Sequence, residues 1–189
     1  MENTQGCSQS IAAGFLKTRR LIFRTWLASD MKYALRLWGD LRVTQFIDSR
    51  EKISEADVRN RLIQEIDRQT NFGVQYWPIF LRSTGEYVGC CGLRPYDLDR
   101  NLYEIGFHVC ADHWGQGIAT EAALGVMDYA FNAISVKGLF AGHNPNNSAS
   151  RHILLKLGFR FTHNEFYVPT GLYHPSYILT TDAYYLSNR

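Results

Sequence analysis

This 189-residue chain has few cysteines and no pattern among them. Cys7, Cys90, Cys91 and Cys110 fit neither a zinc knuckle nor a disulfide framework. A reducing compartment is the simpler reading. The histidines are equally unpatterned: His108, His113, His143 and His174 form neither HExxH nor another metal-ligand set, so no catalytic metal is expected. The net charge is only +2 and no compact lysine and arginine run rises above the background, which gives no reason to expect nucleic-acid binding. No apolar run reaches membrane length, and the opening "MENTQGCSQSIAAGFLKTRR" lacks the charged start of a secretory signal. These absences predict a soluble, cytoplasmic protein with no membrane partner. Residues 1–17 read as an N-terminal tail that can be flexible.

What is present suffices for one well-filled core. Hydrophobic residues make up 46% of the chain, and residues 18–189 read as a single domain with no repeat or linker. "RRLIFRTWL" resembles a first strand, and Ser29 or Asp30 can cap a short helix through "MKYALRLWG". A second helix is expected in "SEADVRNRLIQEIDRQT", where Ser54 and Asp57 form a capping box and Val58, Leu62 and Ile66 share one face. Three extended segments follow, "NFGVQYWPIFLR", "GEYVGCCGLR" and "NLYEIGFHVC", with loops short enough to make them antiparallel neighbours. Cys90 and Cys91 then point to opposite faces, which makes at least one of them packing rather than nucleophile. After a helix come the strand "KGLFAGHN", a helix in "SASRHILLKLG", and late strands around "FRFTHNEFYV" and "SYILTT". This order predicts a mixed sheet in a three-layer α/β fold.

The most informative stretch is "DHWGQGIATEAALGVMDYAF", residues 112–131. Gly115 and Gly117 allow a tight turn with close backbone approach, while Ile118, Ala119, Ala122, Ala123, Val126, Met127 and Ala130 form the apolar side of a helix. The free amides of such a helix start bind phosphate. An ATP-type loop is excluded because no Gly-Lys-Ser/Thr ending follows. A dinucleotide loop needs a small residue where Thr120 stands and an acidic residue about twenty positions on, and "KGLFAG" has no carboxylate.

Taken together, "YEIGFHVCADHWGQGIATEA", "NPNNSASRHILLKLGFRF" and "GLYHPSYIL" resemble the GCN5-related N-acetyltransferase family, in the branch of the ribosomal-protein N-terminal acetyltransferases. The resemblance spans Thr18 to Thr180 and is most specific from Glu104 to Phe161. It implies a centrally splayed sheet flanked by helices, with acetyl-coenzyme A (acetyl-CoA) as cosubstrate wedged between the central strands. It also implies that Gly115, Gln116, Gly117, Ile118, Ala119 and Thr120 hold pyrophosphate, and that main-chain groups of His108, Val109 and Cys110 face pantetheine. Trp114 stands where many relatives carry Arg or Gln, so more of the binding falls on backbone amides. Asn147 and Ser150 match the family's Asn-x-x-Ser pattern. Asn147 then bonds pantetheine and Ser150 orients it or protonates the departing thiolate, although "NPNNSAS" is also a good turn and helix cap.

The chemistry implied is direct attack of a neutral amine on a thioester. Glu104 is the candidate base, through water, with Glu121 as a rival carboxylate that has a stronger structural reading. Tyr173 is a candidate for stabilising the thiolate, and His174 for orienting Tyr173 or the substrate. Trp38, Phe46 and Tyr76 are candidates for the acceptor groove, alternation alone making Tyr76 a buried strand residue. The acceptor is a protein or peptide N-terminus, whose α-amine is partly neutral at physiological pH, or another primary amine such as an antibiotic, polyamine or metabolite. A coenzyme A-binding sensor without turnover is the non-enzyme alternative. A homodimer is compatible with the sequence.

Overall fold

The computed structural model describes residues 14–50 and 53–187; most of the expected tail, residues 1–13, lies outside the described residues. The last residues of that segment belong to the sheet. Strand β1 (Leu16–Lys17) pairs antiparallel with β2 (Leu21–Phe23), and the Phe15 ring packs edge-on against Trp77 at 5.0 Å.

After β2, Asp30 is spent differently from the expected cap. Its carboxylate accepts two hydrogen bonds from Arg24, at 2.6 and 2.8 Å, and one from the Leu27 amide at 2.8 Å, and no side-chain cap bond joins it to helix α1 (Met31–Trp38). A short helix, α2 (Leu41–Thr44), follows. Helix α3 (Glu55–Phe72) starts at the Ser54 and Asp57 capping box and ends at Gly73 in the left-handed conformation. It buries Val58 and Leu62, as its periodicity requires, and also the charged Glu65.

Strands β3 (Tyr76–Leu81), β4 (Tyr87–Asp97) and β5 (Leu102–Val109) form the expected antiparallel meander. Helix α4 (Ile118–Asp128) continues into a wider helical turn over Tyr129–Ile134 before β6 (Gly138–Gly142). Helix α5 (Ser148–Lys156), β7 (Arg160–Tyr167), β8 (Leu172–Thr180) and α6 (Thr181–Ser187) complete the chain. Strand β8 is longer than "SYILTT" suggested, because Leu172–Pro175 pair with β7.

The eight strands lie in the order β1-β2-β3-β4-β5-β6-β8-β7. Only β5 and β6 are parallel, and they pair only from Leu102 to Glu104. Beyond Glu104 the two strands part, which is the expected central splay. Two apolar layers cover the sheet. Cys91, Ile105 and Val109 pack with α4 on one face, while Tyr76 and Cys90 pack with α1 and α3 on the other. The adjacent cysteines therefore lie on opposite faces, both buried. Burial also pushes both thiols above their ordinary pKa, an inert state for sulfur.

Candidate active site

The splay opens into a cavity of about 940 Å³ that runs from the start of α4 to α3 and the β7–β8 hairpin. Its residues come from both faces of the sheet.

At one end stands the glycine turn. Gly115 and Gly117 have φ of 74° and 73°, left-handed values that favour glycine. Gly117 caps α4 without any side-chain hydrogen bond, and the Glu121 amide, bonded to Gly117 O at 3.1 Å, opens the helical ladder. The amides of Ile118, Ala119 and Thr120 precede that ladder. Gly115, Gly117, Ile118, Ala119 and Thr120 all line the cavity; Gln116 does not, and its carbonyl accepts from Arg20 at 3.0 Å.

Trp114 also lines the cavity, and its indole donates to Val109 O at 2.8 Å. That carbonyl of β5 is thus already engaged. His108 and Val109 line the cavity, whereas Cys110 packs under α1 and α3. Glu121 serves structure: it accepts from Thr18 Oγ1 at 2.6 Å, from the Arg20 amide at 2.7 Å and from Arg20 Nε at 2.6 Å. Burial raises its pKa, but the bonds from Thr18 and Arg20 outweigh that and hold the carboxyl below its usual range. This pairing holds Arg20, a residue the sequence did not single out, beside the Gly117 turn.

Asn147 is the N-cap of α5, its Oδ1 accepting from the Ser150 amide at 3.0 Å. Both residues line the cavity; Asn147 caps through its side chain, and Ser150 takes part through its amide, not its hydroxyl.

The floor lies where β5 leaves β6. Glu104, Gly106 and His108 alternate onto the face turned toward α3. Tyr76, on β3, crosses Gly106 to donate its phenol to Glu104 Oε1 at 2.8 Å. A Cβ at position 106 would lie 2.2 Å from Tyr76 Cζ, so this hydrogen bond requires glycine there. Tyr76 is the buried strand residue that alternation predicts, 2% exposed, and it also lines the cavity. Burial, then the neighbouring Glu104, push its phenol well above the ordinary tyrosine range. It therefore stays a donor, and Glu104 Oε2 remains as an acceptor.

Three charged residues around this floor had not been singled out. Arg94 stacks over the Tyr76 ring at 3.9 Å and donates to the fully buried Glu65. Glu65 also accepts from the Tyr76 amide at 2.9 Å and from Arg68 at 3.0 Å. Arg61 lies over the Trp38 ring at 4.8 Å and lines the cavity. The signal was available: positions 61 and 65 fall on the same helical face as Val58 and Leu62.

His108 is kept neutral, its pKa driven well down by burial and then by Arg61 and Arg94; its Nδ1 lies 3.3 Å from the Trp38 indole nitrogen, which donates. Phe46 and Ile47 close this end, where the Ser49 amide bonds Pro169 O in the β7–β8 turn at 2.9 Å. Tyr167 and His174 line the cavity beside them. Tyr173 does not: it is 66% exposed and packs edge-on against Phe166. Among the described residues there is no cluster of three or more His, Cys, Asp or Glu able to hold a metal, and no helix long and apolar enough to cross a membrane.

Residues 20–160 match the acetyltransferase (GNAT) domain. The chain is 27% identical over 145 residues to the uncharacterized N-acetyltransferase p20 of Bacillus licheniformis, covering 77% of this chain and 82% of that one. Its fold is similar to that of RimL, a ribosomal L7/L12 α-N-protein acetyltransferase solved with coenzyme A, at a TM-score of 0.74 and 17% identity, covering 88% and 97% of the two chains. It is similar to the same degree to FdhC, a nucleotide-linked sugar GNAT, with TM-score 0.74, 17% identity and coverage of 92% and 93%.

Proposed function

We propose that this chain, which belongs to the GNAT acetyltransferase family, transfers acetyl groups to the N-terminal α-amine of a protein or peptide. It is an acetyl-CoA-dependent acetyltransferase; the acceptor is what the proposal adds. The site fits the cosubstrate, with an uncapped helix start at one end for the pyrophosphate and a strand edge free of β6 in the middle for the pantetheine arm. Acetyl-CoA supplies an activated thioester carbonyl.

The observation that carries the reading is the pairing of Tyr76 with Glu104 at the splay. Tyr76 fixes the carboxylate's orientation through one oxygen and leaves the other free to accept a proton from the acceptor, directly or through water. An α-amine has a reference pKa near 7.7–8.0, against about 10.4 for lysine, so one carboxylate suffices for the former. The amine nitrogen forms its bond to the carbonyl carbon, the carbon–sulfur bond breaks, and the thiolate leaves. Ser150, which lines the cavity near the α5 cap, is the candidate to relay a proton from water to the thiolate, its hydroxyl giving one proton and regaining one. The fold likeness to RimL supports the N-terminal acceptor. The equal likeness to FdhC, a nucleotide-linked sugar GNAT, keeps a non-peptide acceptor as the second reading.

The test is thiol release from acetyl-CoA across matched peptides. Those with a free N-terminus and blocked lysine should outperform those with a blocked N-terminus and free lysine. Preference for lysine, or exclusive use of small amines, would overturn the assignment.

A further inference from the structure

Of the two arginines that line the cavity among the described residues, Arg94 has an ion pair and Arg61 has none. Arg94, its neighbour, is paired with Glu65, which also serves Arg68 and the Tyr76 amide. Among the described residues Arg61 has no ion pair, and its buried Nε has no hydrogen-bond partner; Arg94 Nε shares that second lack, so the ion pair with Glu65 is what separates the two. Its guanidinium lies over the face of Trp38, which attracts the cation but accepts none of its N–H bonds in the guanidinium plane. Burial, and then the like charge of Arg94, depress its pKa, with Glu65 and Tyr167 opposing, and the half-buried side chain lines the cavity. A guanidinium so placed lacks its anion.

What surrounds it defines that anion. Arg61 lines the same cavity as Glu104, Arg94 and Tyr167, and burial pushes the Tyr167 phenol above its ordinary range while Arg61 opposes that. The missing group thus belongs at the acceptor end, on the face of the sheet away from α4. A single unpaired guanidinium matches one carboxylate in a planar, two-bond arrangement. A doubly charged phosphate fits less well, because Glu104 and Glu165 also line this cavity and would repel it.

We propose that Arg61 binds a carboxylate that the acceptor carries close to its amine, making acidic acceptors the preferred ones. The inference rests on the acceptor amine entering this cavity. It names the chemistry and leaves two sources: the side chain of an N-terminal aspartate or glutamate, or the α-carboxylate of a free amino acid. Glu104 takes the amine's proton, and Arg61 sets where the amine stands.

The experiment measures kcat/KM with the full chain and acetyl-CoA. It uses two C-terminally amidated peptides that differ only in Asp or Asn at the first position, beside free glutamate and its diamide. For the peptide source, the Asp peptide should lead the Asn peptide by about tenfold or more, mainly in KM. Arg61→Gln should bring that ratio close to one, and Arg61→Lys should restore part of it. Equal use of the Asp and Asn peptides overturns the proposal for peptides even if the variants do not fold, and Arg61→Gln with an undiminished ratio overturns the residue assignment. If neither peptide is acetylated while free glutamate leads its diamide, the N-terminal reading fails and the role of Arg61 stands with the amino-acid source. If only neutral amines are used, both fail.

Discussion

Replacing Gly106 with alanine tests how the floor of the cavity is built. The added Cβ would stand 2.2 Å from Tyr76 Cζ, 2.3 Å from its hydroxyl and 2.6 Å from Cε2. The ring has little room to retreat: Arg94 covers one side at 3.9 Å, and His108 meets it edge-on at 5.6 Å. Overpacking of this kind costs about 1–3 kcal/mol, and loss of a hydrogen bond to a charged group about 1.5–3 kcal/mol. Since the two losses share one ring they overlap, and about 3 kcal/mol is expected in total. For a chain of this size each kcal/mol lowers Tm by about 2–4 °C, which gives a fall of about 6–12 °C. Thermal unfolding followed by circular dichroism measures it, and initial rates on the folded protein should show kcat falling with the displaced phenol. Adding Gly106→Ala to a Tyr76→Ala background should cost almost nothing further, since the clash has lost its partner. A Tm within about 1 °C of wild type for the single variant, or full additivity in the double, would refute the account of this floor.

Two other outcomes follow from the same geometry. Gly117→Asp puts a carboxylate at the uncapped start of α4. The left-handed φ of 73° costs an Asp about 1 kcal/mol, with Arg20 Nη2 3.6 Å from the new Cβ, so the chain should fold with a slightly lower Tm. Calorimetry on the folded variant should show acetyl-CoA binding weakened about tenfold or more, and unchanged affinity would move the pyrophosphate elsewhere. His108 is held neutral chiefly by burial, so its folded pKa lies below its unfolded value near 6.5. The unfolded chain then takes up a proton first as pH drops, and stability, full above about pH 6.5, should decline below it. Unfolding midpoints of wild type and His108→Gln across pH 5 to 8 check this, and the variant should show the shallower acid decline.

Much of the scaffold was legible because it is built from local signals. The Ser54 and Asp57 box, the glycine turn and the alternation across β3 to β5 each depend on residues a few positions apart. The glycine turn and the Asn147 cap were legible for the same reason, since the uncapped start of α4 and the start of α5 are local backbone events. The acceptor end was not. The Tyr76 contact with Glu104 spans 28 positions and depends on the absent side chain of Gly106, while Glu65 joins α3 to Arg94 across 29. Asp30 looked like a cap because its partner, Arg24, sits on the preceding segment rather than in the helix. Tyr173 and His174 were indistinguishable in sequence, and strand alternation in β8 puts His174 on the cavity and Tyr173 in solvent.

The most direct measurement is the pH–rate profile of Glu104→Gln beside wild type, with acetyl-CoA affinity measured on the same preparations. The substitution keeps the size of the side chain and removes the carboxylate that would take the proton. Cofactor affinity should hold, while turnover of an N-terminal peptide near pH 7 falls about a hundredfold and recovers partly above pH 9, where the α-amine is already neutral. A near-wild-type rate at pH 7 in a folded variant would contradict the assignment of the base and, with it, the account of how the splayed strand performs the transfer.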